Sequence, residues 1–243
     1  MDRYFDARLE QAFWAVRRWA AFPIHAAPRP LVLVAEEVVT RRGFRTGEAK
    51  NAFSAGHIDW AVEVPDGVRA KLQKGTTSRA RDMAAQPLKI THAGTGEQEF
   101  ATDRGPEMLP AWWIQGPATV GQIWVLDPTV EHWQPPEDAA GAPPPAPTQG
   151  QPLLWPVELH SDGQSIVIPW LGSSAQVEAF PSAELIETRT AVSAVAVREG
   201  MGFEGWVVAV GVRHDVAARL HKPLGDRVFV DLHGNALGVV AAR

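Results

Sequence analysis

The chain has 243 residues, no cysteine, ten tryptophans against one tyrosine, and a formal net charge of −5. The lack of cysteine excludes disulfides, thiolate metal sites and thiol nucleophiles. An acidic balance with no concentrated basic patch argues against nucleic acid as a partner.

Phe5, Leu9, Ala12, Phe13, Val16 and Ala20 recur at helical spacing and predict an N-terminal helix with one apolar stripe, stopped by Pro23. Asp2 and Asp6 at its start and Arg17 and Arg18 at its end suit the helix dipole. Packing on its own domain is favoured for this helix over docking to a membrane surface through Trp14 and Trp19, because its acids weaken attraction to anionic lipid. The opening residues lack the uninterrupted apolar core of a signal peptide, and no stretch approaches the roughly 20 apolar residues of a membrane span. A soluble, cytoplasmic protein without membrane insertion is the expectation.

Beyond the helix, residues 31–34 and 58–64 read as strands, residues 47–56 as a short helix capped by Gly56, and residues 66–72 as another. Four strands follow at 88–92, 97–102, 108–114 and 122–126, with AGTG, DRGP and QGP as the turns between them. Residues 134–152 (QPPEDAAGAPPPAPTQGQP) contain no aromatic and no β-branched aliphatic side chain. Their proline run favours extended backbone and buries little apolar surface, so the stretch reads as a semi-stiff linker. After it, short strands are expected at 157–160, 164–170, 176–180, 184–188, 191–198, 206–212, 216–220, 227–232 and 236–240. That rhythm suits a β-sandwich or small barrel. The predicted fold class is mainly β (α+β overall). An N-terminal helix and a mixed unit with an antiparallel meander occupy 1–133, the linker 134–152, and an all-β unit 153–243.

Three blocks carry a resemblance: RPLVLVAEEVVTRRGFRTGEAKNAF at 29–53, FATDRGPEMLPAWWI at 100–114 and KPLGDRVFVDLHGNALGVV at 222–240. They resemble blocks in β-rich proteins of GC-rich bacteria to which no activity is attached. The resemblance implies that DRGP and LGDR are structural turn motifs, and it carries over no catalytic residue.

The candidate chemistry is sparse. Gly200, Gly202 and Gly205 spell a dinucleotide-binding pattern, but valine-rich strand sequence follows where a helix would have to meet the pyrophosphate. No cofactor is therefore expected. His221, Asp231 and His233 form the one nucleus for a metal site, with His214 and Asp215 nearby, although a polar outer face is the favoured reading. Ser173 and Ser174 lack the flanking glycines of a nucleophile elbow, and the carboxylate pairs Glu36 and Glu37, or Glu184 and Glu187, suit exposed strands. Catalytic residues are not assigned, and an enzyme is not expected.

Trp112 and Trp113 are adjacent, so in a strand one faces the core and the other the opposite side. Alternation at 227–233 predicts Val228, Val230 and Leu232 inward and Arg227, Phe229, Asp231 and His233 outward. Trp112, Trp113, Phe229, Asp231 and His233 are therefore the candidate binding surface. The sequence favours a non-catalytic protein-binding or adaptor protein with a regulatory or neutralising role. A carbohydrate-binding module using exposed tryptophans is the alternative, and a metal-dependent or other hydrolase on the second unit is the third reading.

Overall fold

In a computed structural model, residues 3–34, 37–73, 86–136, 139–141, 155–200 and 211–242 are described. The chain is mainly β and splits into two units that interleave along the sequence. A terminal unit comprises Met1–Val34, Thr102–Gly105 and His132–Arg243, and an inserted unit comprises Ala35–Ala101 and Pro106–Glu131. The sequence suggests consecutive blocks at 1–133 and 153–243 instead. The prolines at 143–147 lie outside the described residues.

The apolar stripe at the start forms α1 (Arg3–Arg18). Ala12, Ala15, Val16 and Trp19 are buried and join a core made with the C-terminal strands. That burial explains the grouping of residues 1–34 with the distant end of the chain: the stripe has its apolar partner there.

The inserted unit begins with β1 (Val38–Thr40), α2 (Gly47–Ser54), β2 (Ile58–Trp60) and α3 (Asp66–Gln73). The Thr46 hydroxyl accepts from the Ala49 N–H at 3.1 Å and caps α2, and Gly56 takes φ +68° just beyond its end. There follow β3 (Leu88–Ile90), β4 (His92–Thr102), β5 (Gly105–Gln115) and β6 (Ile123–Leu126). β2 and β3 pair in parallel, while the larger sheet runs β1-β6-β5-β4. Ile114, Ile123 and Val125 face a core shared with Ala52 of α2, Val68 and Leu72 of α3, and Leu88 and Ile90 of β3.

AGTG, expected as a turn, lies inside the eleven-residue strand β4. Its glycines leave room for side chains rather than reversing the chain. DRGP does form a turn, between β4 and β5, with Gly105 at φ +104°. Residues 31–34, expected as a strand, contribute a single bridge from Leu33 to Thr102.

The terminal unit continues with β7 (Val157–Leu159), β8 (Ser165–Gly172), β9 (Glu178–Glu187) and β10 (Ala191–Gly200). It ends with β11 (Val212–Arg219), β12 (Val228–Val230) and β13 (Val239–Ala241). Two sheets result, ordered β12-β10-β9 and β11-β8-β7-β13, and among the described residues neither closes into a barrel. The two strands expected at 176–180 and 184–188 are one strand. Val197 pairs with Ser182 and Glu199 with Ala179, so Phe180 and Pro181 together oppose Arg198 in a bulge. A proline is tolerated there because the ladder is already interrupted.

Residues 191–196 of β10 are all buried, so both faces of this strand are covered, and α1 packs against it. β12 lies beside β10 in parallel register, with Val192 opposite Phe229. Phe229 is consequently 1% exposed, and Arg227 and Asp231 are buried too. The expected outward face of 227–233 is therefore corrected. Parallel strands covered on both sides bury successive residues, and alternation no longer sorts inside from outside.

Candidate functional site

In the inserted unit the helices cover one face of the four-stranded sheet, and strand alternation assigns the other face. Trp113 pairs with Trp124 across β5 and β6, so their side chains share a face. Gly94 and Gly96 of β4 lie beneath them. A Cβ at Gly94 would stand 2.7 Å from the Trp113 indole, and one at Gly96 would stand 3.2 Å from that of Trp124. The glycines thus let two large rings lie close to the sheet. Trp112 takes the opposite face, packs on the helix-side core and donates Nε1–H to Asp127 at 3.1 Å. Hydrogen bonds from the Thr129 hydroxyl and backbone, assisted by Trp112 and Lys71, outweigh burial and hold the Asp127 carboxyl below its ordinary pKa.

A groove of about 590 Å³ opens beside these rings. Its lining includes Trp124, Gln98, Gln115, Gln122, Glu97 and Arg41, with Met108 at the edge. Gln98 is buried, and its Nε2 donates to the Glu99 carbonyl at 2.9 Å, which fixes the amide. Met108 is 58% exposed. The Gln115 and Gln122 amides, each offering donors and an acceptor, therefore lie beside an indole on the sheet face away from the helices, above the buried Gln98.

The terminal unit holds a second cleft, of about 790 Å³, around the 221–227 loop. At its base the Glu187 carboxylate accepts from the His221 backbone N–H and Nδ1 at 2.7 Å each, and from Arg227 Nη1 at 2.7 Å. Arg227 also donates to the Lys222, Pro223 and Leu224 carbonyls. Burial alone would raise the Glu187 pKa. The His221 and Arg227 hydrogen bonds and the Arg227 charge outweigh it and hold the carboxyl below its ordinary range. Arg104 donates to the Gly225 and Arg227 carbonyls, and Arg29 to that of Asp226. Arg29 and Arg104 are in turn paired with the buried Asp103. The three resemblance blocks therefore meet here, through Arg29, the DRGP turn and the LGDR turn.

The other sequence candidates are dispersed. Asp231 is buried and closes a turn, its carboxylate accepting from the His233 N–H, the Asn235 N–H and Asn235 Nδ2. The His233 carbonyl accepts from Arg18. His221 belongs to the Glu187 network instead, and among the described residues no three His, Asp or Glu side chains converge as metal ligands. The nucleus His221, Asp231 and His233 is not assembled. His214 Nε2 lies 2.6 Å from the Ser173 carbonyl, and Ser173 N–H bonds Glu178, which pairs with Arg198. Glu37 pairs with Lys71 at 3.2 Å. Glu36, Gly202 and Gly205 lie outside the described residues.

Sequence reasoning missed Trp124 and its neighbours Gln115 and Gln122. The signal was present in WWIQ at 112–115 and QIWV at 122–125, which in antiparallel register place both outward tryptophans beside outward glutamines. No protein-family model, curated protein or solved structure matches the chain.

Proposed function

We propose that the inserted unit is a saccharide-binding module whose groove is floored by Trp124, with Trp113 beside it. The observation that carries this reading is one groove that holds the Trp124 indole and the Gln115 and Gln122 amides, with Trp113 paired beside Trp124 on the same sheet face. A sugar ring offers an apolar C–H face to stack on an indole and a fringe of hydroxyls that both donate and accept. Primary amides answer that fringe in both roles. Concave sites combining aromatic area with a few placed polar groups are the usual form of small-ligand sites.

Binding is favoured over glycoside cleavage because Glu97 is the single carboxylate among the described residues that line the groove. Hydrolysis of a glycosidic bond ordinarily uses two flanking carboxyl groups. It is also favoured over a protein-docking surface, which would present a contiguous apolar patch. Among the described residues the exposed large hydrophobics are Phe13, Met108, Val120, Trp155 and Val212. Met108 and Val120 line the groove itself, and Arg213 lies over the Trp155 ring.

Affinity electrophoresis of the full chain through gels containing neutral or uronate polysaccharides tests the proposal. Retardation by at least one polysaccharide, abolished by Trp124→Ala, is the expected result. Unretarded migration in every gel, or retardation that Trp124→Ala leaves intact, would contradict it.

A further inference from the structure

We infer that the terminal-unit cleft is a separate binding site for a small organic phosphate ester. Glu187 and Arg227 are nearly buried, with side chains 11% and 10% exposed, and they neutralise each other at 2.7 Å. Arg227 also donates from Nε and Nη2 to the carbonyls of residues 222–224. This buried pair gives the cleft no net charge, but it fixes the shape of the loop.

Among the described lining residues, the full charges left facing solvent are the cations Arg189 and Lys222 and the carboxylate of Asp226, with the exposed imidazoles of His25 and His221 as further hydrogen-bonding groups. In a chain of formal net charge −5 the cleft thus carries an excess of positive charge, and a concave wall with such an excess attracts a counter-ion.

His221 gives the cleft direction. Glu187 holds its Nδ1 at 2.7 Å, and its side chain is 85% exposed. An acid that fixes one imidazole nitrogen sets the ring's orientation and leaves Nε2 for a ligand. The loop bearing His221, Lys222 and Asp226 is tied at Gly225, Asp226 and Arg227 by Arg104 and Arg29, so these groups are held in place before a ligand arrives.

A phosphate monoester matches this arrangement: a dianionic head with several acceptor oxygens for Arg189, Lys222 and the imidazoles. The cleft, at about 790 Å³, has room for more than the phosphate, and Ile24, Pro223 and Leu224 among its lining residues provide apolar surface for the organic part. No residue of the inserted unit takes part, so this inference stands apart from the saccharide reading.

Titration calorimetry of the full chain with phenyl phosphate, phenol, benzoate and inorganic phosphate tests it. Saturable binding of phenyl phosphate is expected, about tenfold weaker in Arg189→Ala and in Lys222→Ala, with inorganic phosphate weaker and phenol inert. Both substitutions remove exposed side chains, and thermal melts of the variants should match the parent. No saturable binding of phenyl phosphate would overturn the proposal, as would binding unaffected by both substitutions. Benzoate binding as tightly as phenyl phosphate would overturn the phosphate assignment.

Discussion

Gly94 lies directly beneath Trp113: a Cβ at this glycine would stand 2.7 Å from the indole, closer than real side chains approach. The relationship explains why a glycine sits in the interior of a long strand, where it is otherwise unfavourable. The strand trades local stability for a face on which a large aromatic ring lies against the backbone. Gly94→Val should displace the indole and cost about 1–3 kcal/mol through overpacking. Urea denaturation followed by tryptophan fluorescence checks both, with a changed native emission accompanying a lower midpoint.

The LGDR turn gives a second prediction. Gly225 has φ +53°, and a Cβ there would meet only the Pro223 carbonyl, at 3.8 Å. The cost of a substitution is therefore backbone strain alone. Gly225→Val should destabilise the terminal unit by about 1–3 kcal/mol, and Gly225→Asn by less, because asparagine tolerates this region better. Chemical denaturation of both variants checks the order.

Asp103 is 2% exposed and faces two guanidinium groups, those of Arg29 and Arg104. Burial and the neighbouring Arg29 lower the Arg104 pKa, while Asp103 and Asp226 raise it in compensation. Removing the acid strands two cations beside each other. Asp103→Ala should cost about 3–5 kcal/mol, the range for breaking a buried pair. Arg29→Ala should cost less, since Arg104 still neutralises the carboxylate. Thermal unfolding of the two variants compares them.

Glu187 gives a pH dependence. Its folded-state pKa lies below the ordinary value of 4.5, so the unfolded chain takes up this proton at the higher pH. The stabilisation is complete above about 4.5 and is lost as pH falls through the depressed folded-state value. Glu187→Gln should lower stability at neutral pH by about 1.5–3 kcal/mol, as expected for lost hydrogen bonds to a charged group. It should also flatten the acid side of the stability profile below that pH. Denaturant melts of both proteins across the acid range measure the difference in slope.

Much of the local structure is legible in the sequence because it is set by short-range chemistry. The stripe of α1, the Gly56 boundary of α2, and the DRGP reversal each follow from neighbouring residues. What could not be read depends on partners far along the chain. AGTG looks like a turn until Trp113 and Trp124 are placed over its glycines. Phe229 looks exposed until β12 is set beside β10, and the apolar partner of α1 lies in strands nearly two hundred residues away. Of the residues about the candidate groove, the sequence singles out the neighbouring Trp113, whereas Trp124, Gln115 and Gln122 acquire meaning only through the β5–β6 register.

The saccharide reading is tested most directly by following the indole N–H signals of the ten tryptophans during titration with a polysaccharide fragment that retards the protein in gels. The account predicts that the Trp124 resonance shifts and saturates, accompanied by that of Trp113. Trp19, whose indole is buried and bonded to the Gly234 carbonyl, and the fully buried Trp170 should stay in place. Saturation with the Trp113 and Trp124 signals unmoved, or a shift confined to the exposed Trp155, would contradict it.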